Sequence, residues 1–269
     1  MIINLFHYGF VIRAFEAGII IAAIAPMIGM FLVLRRYALM ADTLSHVSFA
    51  GVALGLLFGI NPLFTAIAAS ILAATSLERL RAKKRVYGDA ALSLFLSGSL
   101  ALATVLISLG SGFNANLFTY LFGSILTVKA VDVTIIATLG IIVAVVLIAL
   151  YKELIYVAFD EEAAAVSGLP TRALNFIFVT IAAITIALAI PIVGILLVSA
   201  LMVIPVVAAL QLKRSYKATL IIAECISIVA TILGIVIAFA LNLSPSGTIV
   251  LLMLAIFSII LLAQQFLKN

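Results

Sequence analysis

The chain has 269 residues, of which 67% are hydrophobic and only 9% charged, with a net charge of +5 and a mean hydropathy of +1.43. Ordinary soluble domains are about half apolar, so this composition excludes one. The positive balance does not point to nucleic acid, because no basic patch interleaved with aromatics occurs; in membrane proteins Lys and Arg gather in cytoplasmic loops and set orientation.

Taken in chain order, the apolar runs fall between basic clusters at Arg35-Arg36, Arg79 through Arg85, Lys152 and Arg172, Lys213-Arg214 with Lys217, and Lys268. Placing these clusters inside gives one consistent path. Residues Met1–Glu16 form an external, interfacial segment with no basic n-region or small-residue cleavage site before Arg35, so no cleaved signal peptide is expected. Ala17–Leu34 crosses inward, and Ala41–Phe58 returns outward carrying Asp42 and His46. The chain reverses at Gly59-Ile60-Asn61-Pro62, a Gly/Pro-punctuated turn, and a third span descends to the basic loop Glu78–Asp89. Ala90–Leu109 goes out again. Asn116–Val128 is too short for a comfortable crossing and reads as an external or re-entrant helix. Val131–Tyr151 is the fifth span, and Lys152–Arg172 is the longest polar interval. Spans near Ala173–Ile190, Val193–Leu212, Ala218–Leu241 and Gly247–Phe266 complete the chain.

The expected fold is therefore an all-α polytopic membrane protein of eight to nine transmembrane helices. An inside Lys268 favours nine. Lipid offers no partners to free backbone groups, so helices are the natural spanning element for such apolar runs. Residues 1–269 read as a single transmembrane domain without short-period repeats. The lone cysteine, Cys225, lies mid-span and provides no disulfide framework. Gly29, Gly51 and Gly55 permit close helix approach. Pro26, Pro191, Pro205 and Pro245 either open cavities near the midplane or simply kink and end helices.

Two features carry chemistry. Asp42 and His46 lie four residues apart and share one helix face, and ionisable side chains within a span usually mark an ion or substrate path. Carboxylate and imidazole suit Mn²⁺, Fe²⁺ or Zn²⁺, whereas Cu(I) wants sulfur. Two ligands from one chain make a weak site, which a carrier that must release its cargo can use; facing pairs in a homodimer would supply four. The alternative is structural: Asp42 caps the span and His46 bonds a neighbouring helix. The second feature is Phe159 to Pro170, where Asp160-Glu161-Glu162 open a short helix at its positive dipole end, Ala163-Ala164-Ala165 continue it, and Gly168 with Pro170 ends it. It is either a docking element of the longest inner loop or a plain surface helix. Glu224, seven residues beyond Lys217, is expected to pair structurally near the inner face.

With these segments in view, the chain resembles the permease subunit of ABC-type manganese/zinc/iron importers, from about Phe10 to Leu262. The likeness rests on Ala41-Asp42-Thr43-Leu44-Ser45-His46 with Gly51, then Tyr120-Leu121-Phe122-Gly123, Glu162-Ala163-Ala164 with Gly168, Val193-Gly194 through Pro205, and Pro245-Ser246-Gly247. The resemblance implies a fold similar to vitamin B12 and siderophore importers. It further implies a homodimer in the cell membrane, two cytoplasmic ATPase subunits that bind the ATP, and an extracytoplasmic metal-binding protein. By the same resemblance Asp42 and His46 are pathway ligands for transported Mn²⁺ or Zn²⁺, with no cofactor of the chain's own. Glu161, Glu162, Ala163, Ala164 and Gly168 form the helix that couples to the ATPase. No Gly-x-x-x-x-Gly-Lys-Ser/Thr loop occurs, so ATP hydrolysis belongs to a partner. Two other readings stay open: an importer of a metal chelate, and a membrane-embedded enzyme using Asp42 and His46 as acid and base.

Overall fold

The computed structural model describes residues 9–82, 88–110, 120–123 and 130–268. Among these, every regular element is a helix. They are α1 (Gly9–Leu34), α2 (Ala38–Phe58), α3 (Pro62–Ala82), α4 (Gly88–Leu109), α5 (Ala130–Ala149), α6 (Tyr151–Phe159), α7 (Glu161–Val166), α8 (Thr171–Val193), α9 (Ile195–Gln211), α10 (Tyr216–Leu241) and α11 (Pro245–Lys268).

Eight of these helices are long and apolar enough to cross a membrane, and α9, with 17 residues, is a shorter ninth. A 17-residue helix is about 25 Å long, and α9 buries Leu197, Leu201, Met202 and Val206 against its neighbours. All nine expected spans are thus helical. The first begins earlier than expected: α1 starts at Gly9, and Val11, Ala14 and Phe15 are buried in the bundle. Residues 9–16 are therefore the opening two turns of a packed span and not an interfacial segment. Residues 1–8, and most of the expected short helix 116–128, lie outside the described residues.

Side chains such as Leu72, Ile141 and Leu251 are exposed on the outside. That is the normal surface of a helix solvated by hydrocarbon, where burial between helices comes from close packing. Small residues provide it. A Cβ added at Gly51 would lie 2.7 Å from the carbonyl oxygen of Thr65, so α2 and α3 cross almost backbone to backbone. Ser48 and Ser70 join their hydroxyls across the same crossing. Pro26 and Pro205 lie inside continuous helices. The chain instead breaks at Gly194, whose φ of +80° separates α8 from α9 by one residue.

Turns and side-chain bonds sort the helix ends. The α1–α2 corner, the last turn of α3, α7 and the start of α8 meet at one end through Arg35, Arg81, Glu161 and Asn175. The ends of α9 and α11 join through Gln211 and Gln264. This is the end rich in Arg and Lys, which the positive-inside bias places in the cytoplasm. At the opposite end Ser246 Oγ donates to the Phe122 carbonyl at 2.7 Å, and Gly194 abuts the backbone of 121–123 so closely that no side chain would fit.

Candidate functional site

The path to Asp42 and His46 starts at the corner between α1 and α2. Arg36 takes a left-handed φ of 60°, and the Tyr37 amide donates back to the Leu32 carbonyl at 2.7 Å. This closes α1 and starts α2 three residues later. Tyr37 occupies the N-cap of α2 without a side-chain cap bond. Asp42 is the fifth residue of the helix, so its carboxylate is too far along to cap it. The capping alternative is excluded.

The polar residues of α2 divide cleanly. Thr43 Oγ1 donates to the Leu39 carbonyl at 2.9 Å and approaches that of Leu92 at 3.3 Å. Ser45 donates to the Ala41 carbonyl at 2.8 Å, and Ser48 bonds Ser70. These three are fully buried and locally satisfied. Asp42 and His46 are not. His46 Nε2 lies 3.7 Å from Asp42 Oδ1, beyond hydrogen-bond range, and His46 Nδ1 is buried with no partner. Buried polar atoms in folded proteins are nearly always paired, and leaving one unpaired costs about 1–3 kcal/mol.

Leu39, Asp42 and His46 follow an i, i+3, i+7 spacing and so share one stripe. That stripe opens out of the protomer: the Asp42 and His46 side chains are 41% and 18% exposed, and Leu39 is 51% exposed. At 1.5 Å per residue, Asp42 lies about 6 Å and His46 about 12 Å from the start of α2. Both therefore sit in the half of the span nearer the basic end. No group of three or more His, Cys, Asp or Glu capable of holding a metal exists among the described residues.

Ser45 is buried and its hydroxyl donates to the Ala41 carbonyl, so it is not placed as a nucleophile for His46.

At the basic end the expected short helix is present as α7. Asp160 is its N-cap, with Oδ1 accepting from the Ala163 amide at 2.8 Å. At the other end the Leu169 amide donates to the Ala164 carbonyl and the Gly168 amide to the Ala165 carbonyl, both at 3.1 Å. This is a Schellman closure, and Gly168 takes the left-handed position at φ +87°. Leu169 then packs with Val157, Ala164 and Leu174. Of the residues expected to meet a partner, Glu162 and Gly168 are exposed and Ala163 is partly exposed, whereas Ala164 is buried against the protein's own helices.

Glu161 is also turned inward. Arg81 forks onto it at 2.7 and 2.9 Å and onto Glu78 at 3.0 and 2.7 Å. The hydrogen bonds from Arg81 hold the Glu161 carboxyl below the ordinary carboxylate range, with Asn175 helping. Beside them Arg35 donates to Asn175 Oδ1 at 2.7 Å, and burial draws the Arg35 guanidinium below its usual value. Sequence reasoning passed over Arg81, Asn175 and Arg35 as site residues. The Glu78-x-x-Arg81 spacing signals only a local helix pair, and nothing in the sequence announces its link to Glu161. It also passed over Phe159, just before α7, and Val166, its last residue, which are 70% and 90% exposed. Glu224 is half-buried in α10 and, among the described residues, forms no ion pair with Lys217 or any other group.

Comparison with known proteins follows this geometry. The model of the ABC 3 transport family matches residues 7–264. A Treponema pallidum (strain Nichols) protein described as a "probable metal transport system membrane protein" is 40% identical over 255 residues, 93% of this chain and 96% of its own length. The manganese import system permease protein ScaB of Streptococcus gordonii is 29% identical, covering 99% of this chain and 96% of its own. Among solved structures, PsaBC from Streptococcus pneumoniae in complex with Fab superposes with a TM-score of 0.86 at 27% identity, over 96% of this chain and 93% of that one. An ABC transporter in an inward-facing conformation shares the fold, with a TM-score of 0.73 at 17% identity over 97% of this chain and 88% of that one. The chain belongs to the ABC 3 transport family, as a multi-pass permease subunit of the cell membrane that is not itself an enzyme.

Proposed function

We propose that this chain is the membrane half of an ATP-driven importer of a divalent transition-metal ion, with Mn²⁺ the foremost candidate cargo. One observation carries the reading. Asp42 and His46 lie on a membrane-spanning helix, open toward the protomer surface, and among the described residues face only each other, at 3.7 Å, with His46 Nδ1 left without a partner. A carboxylate and an imidazole left in hydrocarbon are costly, and a homodimer that brings two such pairs together would provide four donors of the type Mn²⁺, Fe²⁺ and Zn²⁺ accept. The names of the relatives, which include a manganese import permease, favour manganese over zinc and iron.

In this mechanism an extracytoplasmic binding protein delivers the ion to the outer end. The paired Asp42 and His46 side chains hold it in the inner half of the membrane. ATPase subunits seated on α7, against exposed Glu162, Val166 and Phe159, drive the helices between outward and inward access. The chain supplies the path and the partner supplies hydrolysis.

The test is uptake of radioactive Mn²⁺, Zn²⁺ and Fe²⁺ in cells whose own copy is replaced by Asp42→Ala or His46→Ala. Both variants are expected at normal membrane levels, to carry the ATPase subunit, and to lose uptake of the transported ion. Normal uptake by either variant overturns the ligand assignment.

A further inference from the structure

Glu161 is the residue of the docking helix with the strongest hold on the rest of the protein, and each of its partners belongs to a different helix. Arg81 is in the last turn of α3, and Asn175 is in the first turns of α8. Asn175 bridges two charges: its amide nitrogen donates to Glu161 at 2.8 Å and its amide oxygen accepts from Arg35 at 2.7 Å. Arg35 stands in the three-residue corner between α1 and α2. Tyr37, in the same corner and at the N-cap of α2, lies under the Arg81 guanidinium, whose carbon is 5.6 Å from the ring centroid. Both arms from Glu161 therefore end on the corner from which α2 hangs. Asp42 follows Tyr37 by five residues.

We infer that Arg81, Asn175 and Arg35 are positioning residues that carry displacement of the docking helix into α2, and so into Asp42 and His46. The inference rests on the docking reading of α7 given above.

Two further observations fit a linkage that moves and is not merely a brace. Arg35 uses Nη1 on Asn175 and lies over the Phe178 ring, while its Nε and Nη2 are buried without a hydrogen-bond partner among the described residues. A guanidinium with vacant donors beside a carboxylate network can accept a second arrangement without losing its first type of bond. Next to it Tyr37, Met40, Glu78 and Arg81 line a half-open cleft of about 30 Å³. It lies where α2, α3 and α4 meet, which leaves these helices room to shift against each other. Coupling through a rigid element with two arrangements is the physical form such transmission takes.

The experiment reconstitutes the permease with its ATPase subunit in liposomes, supplies the metal-binding protein loaded with Mn²⁺, and measures Mn²⁺ transported per ATP hydrolysed, with Arg81→Gln, Arg81→Lys and Asn175→Leu beside the wild type. Arg81→Gln is expected to keep the ATPase subunit at wild-type stoichiometry while the ion-to-ATP ratio falls about tenfold, in the range of ordinary allosteric couplings. Arg81→Lys keeps the charge but not the fork geometry, so it restores the ratio only in part. Asn175→Leu cuts the Arg35 arm alone and lowers the ratio less, by about threefold. A merely structural role would lower transport and hydrolysis together and leave their ratio unmoved. An unchanged ratio in Arg81→Gln and Asn175→Leu, or loss of the ATPase subunit from both, overturns the inference. A wild-type chain that retains no ATPase subunit at all takes down the docking reading first, and this inference with it.

Discussion

Gly51 gives the most direct physical test of the packing that places Asp42 and His46. A Cβ at this position would stand 2.7 Å from the Thr65 carbonyl oxygen, 2.8 Å from Ala66 Cα and 2.9 Å from Ala69 Cβ. Ordinary carbon contacts lie near 3.5–4.0 Å, so Gly51→Ala forces α3 back from α2 by about 0.7 Å or more. Two of the three atoms are backbone and cannot turn aside. Overpacking of this kind costs about 1–3 kcal/mol, and the better helix propensity of Ala returns about 1 kcal/mol. The net loss is up to about 2 kcal/mol, and against a glycine that gains the propensity without the clash the difference is about 1–3 kcal/mol. Gly98 supplies the control, since its added Cβ meets nothing within 4 Å. It faces an open groove that Gly51 also lines. There Gly98→Ala is expected to be neutral or to stabilise by up to about 1 kcal/mol. Unfolding titrations in mixed micelles measure both. Gly51→Ala as stable as Gly98→Ala would refute the backbone-to-backbone crossing.

Two further predictions concern the docking helix. Gly168→Ala places a Cβ at φ +87°, where an L-residue is strained by about 1–2 kcal/mol; it and Glu162→Arg are expected to weaken retention of the ATPase subunit on purification, and full retention by both counts against docking at α7. The Glu161 carboxyl is held below its ordinary value of 4.5, chiefly by the Arg81 hydrogen bonds. A carboxyl depressed on folding contributes stability above its unfolded value and loses it as pH falls through the lower folded one. Amide exchange of residues 160–168 is therefore expected to stay slow from neutrality down to about pH 5, after correction for intrinsic rates, and to accelerate only in stronger acid. Acceleration between pH 7 and 5 would contradict the charged pair.

What the sequence discloses follows from range. Spans are local and repeated: an apolar run bounded by a basic cluster or by a Gly, Pro or Asn turn marks each helix, and each expected span is helical, α9 being the short one. The cap at Asp160 and the Gly168 closure are equally local, as is the sharing of a face by Asp42 and His46. α1 starts before the charges at Arg13 and Glu16, because Val11, Ala14 and Phe15, at i, i+3, i+4 spacing, pack into the bundle. The Arg81–Glu161 pair joins residues 80 positions apart, and Arg35–Asn175 joins residues 140 apart. No periodicity or motif encodes such a meeting. The prolines carried two readings that the sequence left open: Pro26 and Pro205 ride within helices, and the break falls at Gly194, where the backbone of 121–123 leaves no room for a side chain.

Binding of the ion itself tests the central claim most directly. Electron paramagnetic resonance of Mn²⁺ added to the purified permease–ATPase complex counts bound ions per chain. The account predicts one ion for every two permease chains, held through nitrogen and oxygen donors and lost when Asp42 and His46 are both changed to Ala. One ion for each chain, or binding that survives the double substitution, would contradict it.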